Sequence, residues 1–296
     1  MQRIQLVSLI VAAVVAVGGG ALIVQGLQSG DDSGGSSASG GPSPTRTTVD
    51  PAIALRAQRR QQLTAALTKL APTVPEFSVA VLDRKTGERF EFKGTEKFDT
   101  ASVVKASILA CTLLQAQDDD RKLTTNQRDL TARSIRNSDN DATTALFGDL
   151  GKVQGLTACN KRLGLTQTAV NSAWGLTRTT ADDQVRLLAE FVDPKSPLSV
   201  PSRQYAFSLM TSVQEDQDWG VPAAAKAGET ATVKNGWDTR DADNGLWAVN
   251  SIGRITSADR KTDVSVAVLS HNNQTYEDGI ALVEKVAKLT RQYLKY

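Results

Sequence analysis

The chain has 296 residues, 40% of them hydrophobic, which suits an ordinary globular core in one large domain or two small ones. A formal net charge of +2 implies no polyanionic partner such as nucleic acid. One histidine, His271, and two distant cysteines argue against structural zinc and against a histidine-based triad that omits His271. No metal or other cofactor is expected.

No charged residue occurs from Ile4 to Gly30, and about 20 apolar residues suffice to cross a bilayer as a helix. The run is long for a signal peptide, "ALIVQGL" is a poor cleavage site, and no cysteine is present to carry a lipid. An uncleaved signal-anchor over 4–28 is therefore favoured over a cleaved signal. Residues 1–3, with Arg3, stay in the cytoplasm, and the remainder lies outside a single-pass membrane anchor. Residues 29–48, "SGDDSGGSSASGGPSPTRTT", are too poor in apolar groups to fold and read as a linker. A single domain follows over 49–296.

Asp50 as a cap and Pro51 at the first helical position open that domain with a helix whose Leu63, Leu67 and Leu70 share a face. "FSVAVLDRKTGERFEFKG" reads as two strands around a turn at Lys85-Thr86-Gly87. From Ala101 to about Gln217 the pattern is mostly helical. Strands return in "TATVKNGW", "GLWAVNSIGRI" and "DVSVAVLSH", and a helix from about Tyr276 closes the chain, with Ile280, Val283, Ala287 and Leu294 along one side. Strands at both ends and helices between them predict an α+β domain: an antiparallel sheet flanked by terminal helices, with an inserted all-helical region.

Three short stretches carry chemistry. Ser102 stands three residues before Lys105 at the start of the apolar run "ASILACTLL". Residues three apart are neighbours on a helix, and burial favours the neutral amine that can accept a proton from a hydroxyl. Taken alone, this is equally a helix start with a snorkelling lysine. Ser138-Asp139-Asn140 enters a helix and alone reads as a cap; Lys234-Asn235-Gly236 lies on a strand and alone reads as an edge lysine with a turn glycine.

In that order, Ser-x-x-Lys, Ser-Asp-Asn and Lys-Asn-Gly make the chain from about Asp50 onward resemble the class A β-lactamase and penicillin-binding protein family, with Asn235 where Thr or Ser is common. The resemblance implies a five-stranded β-lactamase/transpeptidase-like fold and an acyl-enzyme formed on Ser102. It further implies Lys105 as proton acceptor, Ser138 as proton relay to the departing nitrogen, and Lys234 beside the substrate carboxylate. Asn140 would bind a substrate amide, and Asn235, Gly236 and Trp237 would line the substrate strand. The oxyanion hole would use the N–H groups of Ser102 and Trp237.

Departures from the family bear on turnover. No acidic residue occurs from Asn160 to Ala181, where the family carries the glutamate that activates the deacylating water. Gln167-Thr-Ala-Val-Asn171 is the nearest match, giving Gln167 and Asn171 as the deacylation-loop positions; Asp182 and Asp183 read as helix caps. Trp237 is expected to crowd the strand edge, and Arg240 and Arg254 to be solvated surface residues. Export makes a Cys111–Cys159 disulfide the default, free buried cysteines being the alternative. His271 is expected in a polar surface turn.

The reading is a serine hydrolase that acylates on β-lactams or cell-wall-like amides and esters and releases them slowly, with a small-molecule or peptidoglycan-like substrate and a monomer as working expectation. A β-lactamase turning over through another base, and a non-catalytic domain binding cell-wall material or a partner, are the alternatives.

Overall fold

The computed structural model describes residues 50–296. The expected cytoplasmic residues, anchor and linker lie outside them. Among the described residues no helix is long and apolar enough to cross a membrane.

In chain order the elements are α1 (Pro51–Leu70), β1 (Phe77–Asp83), β2 (Arg89–Phe92), β3 (Phe98–Asp99), α2 (Val104–Asp118), α3 (Thr125–Arg136), α4 (Asn140–Asp149) and α5 (Lys152–Arg162). Then come β4 (Arg178–Thr179), α6 (Ala181–Glu190), α7 (Val200–Met210), β5 (Glu229–Arg240), β6 (Leu246–Ser257), β7 (Asp263–Asn273) and α8 (Tyr276–Leu294). The main sheet has five antiparallel strands in the order β2-β1-β7-β6-β5, so both chain ends build it and β5 is a free edge. A two-stranded ribbon, β3 with β4, stands apart.

Two apolar cores follow from this layering. One lies between the sheet and the terminal helices, where Leu63 and Leu67 of α1 meet Val283, Val286 and Ala287 of α8 over Val79, Val266 and Val268. The other surrounds α2, which is buried on nearly every side and packs under the sheet and the inserted helices. An all-round apolar helix has no solvent face to offer, so α2 can only be central. Local signals agree: the Asp50 carboxylate accepts from Ala52 N, and Thr124 and Gln127 form a reciprocal capping box on α3.

Cys111 of α2 and Cys159 of α5 form a disulfide across a separation of 48 residues. It ties α2, the helix that follows Ser102, to α5 of the inserted region, beside a buried Ser107–Asn160 hydrogen bond. Closing a loop of that length removes entropy from the unfolded chain. Cys111→Ala/Cys159→Ala should therefore lose about 2–4 kcal/mol of stability, read as a lower midpoint in urea unfolding.

His271 departs from expectation. β7 runs on to Asn273, so His271 is a strand residue whose N–H donates to Glu76 O and whose ring packs on Phe98 at 4.8 Å. Pairing of Asn273 with Trp247 of β6 carries the ladder past the polar run "SHNN".

Candidate active site

Ser102 sits in a short 3-10 turn, Ala101–Val103, that leads directly into α2. The turn is held in a sparsely populated conformation: Ala101 has φ 44°, in the left-handed region that a β-carbon disfavours. Several bonds impose it. Thr100 N donates to Thr177 O (2.8 Å), Thr100 Oγ1 to Gly175 O (3.3 Å), and Val103 N to Thr100 O (3.1 Å). From below, Asn250 Nδ2 donates to Asp99 O (2.9 Å) and Thr100 O (3.1 Å). A lone buried asparagine within the apolar strand "LWAVNSI" was the sequence signal for this support; sequence reasoning passed over it.

Gly236 of β5 meets the same turn. A β-carbon there would lie 2.7 Å from each of Ser102 N, Thr100 O and Val103 N, all backbone atoms that cannot swing aside. Only glycine permits this approach of strand to serine. Gly236→Ala should push the strand off the turn and cut the acylation expected at Ser102 by about 10²-fold or more, as loss of an oxyanion donor does. The check is a single-turnover acylation rate measured on protein whose thermal melt remains cooperative.

The second serine is the hub. Ser138 also has a left-handed backbone, φ 53°, and turns both its carbonyl and its hydroxyl inward. Lys105 Nζ donates to Ser138 O (2.5 Å), Ser138 Oγ (3.1 Å) and Asn140 Oδ1 (2.8 Å). From the other side Lys234 Nζ donates to Ser138 Oγ (3.0 Å) and to Asn235 O (2.7 Å). Both lysines are fully buried. Burial pulls the Lys105 amine down to about 7, with Asp139 acting weakly in the opposite direction. Burial, then the charge of Lys105, holds Lys234 well below the ordinary lysine value. Asp139 serves locally: it caps α4 at Ala142 N (2.9 Å) and pairs with Arg133.

Ser102 Oγ is not among the three acceptors of Lys105. All three ammonium hydrogens are in use, so a bond to Ser102 requires the amine to be neutral and to turn its lone pair toward it. Asn140 is exposed and spends its oxygen on Lys105, which leaves its NH₂ group for a ligand.

Three sequence expectations for β5 change. Alternation along a strand puts Lys234 and Gly236 on the serine side and Asn235 and Trp237 on the other. Asn235 Nδ2 is buried and donates to Gln217 O (2.8 Å) and Trp219 O (3.0 Å), so its side chain anchors a neighbouring loop instead of lining a substrate. The Trp237 ring joins Trp219 (5.8 Å) and Tyr276 (5.6 Å) in an aromatic cluster and does not crowd the serine edge. Arg240 is not solvated: it is a clamp, Nη2 to Asp99 Oδ2 at 2.9 Å, from the end of β5 to the ribbon just before the serine turn. Arg254 is likewise engaged, with Asp263 at 2.7 Å and over the ring of Phe207.

The loop between α5 and α6 also differs. Its neck is fixed by Asp183, whose Oδ2 accepts from Gln167 N (2.9 Å) and Thr168 Oγ1 (2.7 Å); the helix cap is Thr180, whose hydroxyl receives Asp183 N. Burial raises the Asp183 carboxyl above the usual range. Ala169 pairs with Arg178 above this neck, and the tip folds back with Asn171 Oδ1 accepting from Ala173 N. Neither Gln167 nor Asn171 bonds through its side chain to Ser102, Lys105 or Ser138. The loop residue that reaches the lysine is Trp174, its ring 5.0 Å from Lys105 Nζ and its Nε1 on Thr144 Oγ1. Sequence reasoning gave Trp174 no role, because a tryptophan in a polar loop looks like ordinary packing.

Solved structures similar to this arrangement of sheet and helices include class A β-lactamases. One from Mycobacterium abscessus aligns with a TM-score of 0.68 at 18% identity, over 79% of this chain and 100% of its own. A β-lactamase from Xanthomonas campestris pv. campestris gives 0.70 at 18%, over 80% and 98%, and an ancestral Gram-negative class A variant gives 0.69 at 22%, over 79% and 99%. The chain belongs to the beta-lactamase enzyme family, whose sequence model matches residues 58–128 and 121–294. Among curated proteins, candidate lipoproteins named LppW from Mycobacterium tuberculosis and Mycobacterium bovis are 30% identical over 168 residues, 54% of this chain and 53% of theirs. The chain thus spans about half the length of the curated relatives it matches.

Proposed function

We propose that this protein is an extracytoplasmic active-site-serine hydrolase that forms an acyl-enzyme on Ser102 with β-lactams or cell-wall-like amides and esters, and that releases the acyl group slowly. The observation that carries the reading is the pair of buried lysines, Lys105 and Lys234, converging on Ser138 Oγ beside the serine turn. Burying two amines costs several kcal/mol unless they are paired or neutral, and no carboxylate is bonded to either. Proton transfer offers a use for that cost.

In this mechanism neutral Lys105 takes the Ser102 proton as Oγ attacks the acyl carbon. The developing oxyanion is held by the N–H groups of Ser102 and Trp237. Ser138 then hands its proton to the departing nitrogen and recovers one from the lysine pair. A substrate carboxylate near Lys234 favours the charged form of that amine, which burial alone opposes. Asn140 Nδ2 binds a substrate carbonyl. The resemblance of the chain to a candidate lipoprotein and its apolar 4–28 run both support attachment at the outer face of a membrane, although residues 1–49 contain no cysteine.

Incubation with a fluorescent penicillin, followed over time, tests this. Label that appears on the protein and persists supports the reading. Label that turns over within seconds points to a working β-lactamase with another base, and no label at all to a binding domain.

A further inference from the structure

The domain gathers basic side chains in a second place, away from the serine. A cleft of about 780 Å³ opens between α1, α8 and the β1–β2 and β6–β7 turns, at the far end of β5. Glu229 lies at its wall and Asn235 at the serine network, so six residues of extended strand put about 20 Å between the two sites.

Nine basic side chains line this cleft against four acidic ones. Every one of those carboxylates is already occupied. Glu88 accepts from Arg56 and Arg60, and Glu229 from Arg291, Thr262 and the Lys226 N–H. Asp259 accepts from Ser257 and Lys261, and Asp83 from the Lys85 N–H. Among the described residues Arg59, Lys85, Lys226 and Lys295 have no carboxylate partner, and all four face this cleft.

The wall itself holds an incompletely satisfied cation. Arg291, 9% exposed, donates from Nη2 to Glu229 Oε1 at 2.7 Å, but its Nε and Nη1 have no hydrogen-bond partner. Its guanidinium lies over the Tyr296 ring at 4.9 Å. For a chain with net charge +2, this is a strong local concentration of unpaired positive charge, which repels itself unless an anion enters. Leu55, 46% exposed, and Phe90 add an apolar wall beside the charges.

From this juxtaposition we infer that the cleft is a second, non-catalytic binding site for a phosphate-class anion. Guanidinium forks and ammonium groups lining one cleft suit a multiply charged group with several acceptor oxygens. The apolar wall accommodates whatever chain that phosphate carries. A lipid headgroup and a soluble phosphate share this chemistry.

Full-length protein in a neutral detergent, titrated with inorganic tripolyphosphate by calorimetry at low salt, provides the test. Tripolyphosphate, or failing it phosphatidylglycerol added to the micelles, should bind one equivalent. Arg59→Glu/Lys226→Glu should weaken that binding at least tenfold, and so should Lys85→Glu/Lys295→Glu if the first pair melts early. The control pair Lys161→Glu/Lys285→Glu, the same charge change on exposed positions outside the cleft, should stay within twofold. Phosphatidylglycerol but not phosphatidylcholine displacing tripolyphosphate assigns the site to a headgroup; tripolyphosphate binding that neither lipid disturbs assigns it to soluble phosphate. Absence of binding by both probes, or equal weakening by the control pair, overturns the proposal.

Discussion

Lys105→Ala will slow acylation of Ser102 by about 10³- to 10⁴-fold, or about 4 to 5.5 kcal/mol at 1.36 kcal/mol per decade. The hydroxyl of Ser102 keeps its proton at neutral pH, and Lys105 is the amine placed one helical turn away with its affinity for protons reduced to about 7. Alanine removes that acceptor and also leaves Ser138 O and Asn140 Oδ1 without their donor. A nucleophile and its base act as a unit, so Ser102→Ala/Lys105→Ala should be little worse than either change alone. The pH profile carries the same claim in another form. Only the neutral amine accepts a proton, and its population grows as pH rises through the pKa. The parent's acylation rate should therefore climb about tenfold per unit below pH 7 and level off above it. A rate that falls over that range assigns the base elsewhere, and stopped-flow acylation between pH 5 and 9 reads the difference.

Acyl-enzyme will accumulate, because the loop over the site brings no base to the ester. No acidic residue lies between Asn160 and Ala181, and the loop presents the indole of Trp174 to Lys105, 5.0 Å from its Nζ. Loss of general-base assistance to a water costs roughly 10²–10⁴-fold, about 3 to 5.5 kcal/mol. Penicillin hydrolysis should show a burst of one equivalent followed by slow release. Gln167→Glu should leave release within about threefold of the parent, since Gln167 is fixed by its backbone to Asp183 at the neck of the loop. Acceleration by 10²-fold in that variant would mean that its side chain does face the ester. Burst amplitude and steady-state slope from one progress curve decide both points.

The sheet and the end helices were legible because their signals are local or periodic. Pro51 after Asp50, the Gly87 turn, and the apolar strands near the C-terminus each report their own backbone. The serine and lysine positions were legible for a different reason: reactive residue types recur in a fixed order, each at the start of a helix or on a strand. What stayed hidden depends on which way a side chain turns. Trp237 and Asn235 could have faced the site, and only the register of β5 against β6, with Gly236 pressed on the serine turn, sends them to the other side. Arg240 looked solvated because its partner, Asp99, is far away in sequence. Loop residues were hardest. Neither periodicity nor composition distinguishes Trp174 over the lysine from Gln167 at the neck.

Peptide mapping by mass spectrometry after exposure to a penicillin decides whether Ser102 is the nucleophile. One adduct of intact penicillin mass is expected, on the peptide that contains Ser102, at close to one equivalent, and none in Ser102→Ala. An adduct that persists in Ser102→Ala, or a folded parent protein that carries no adduct at any penicillin concentration, would contradict that role.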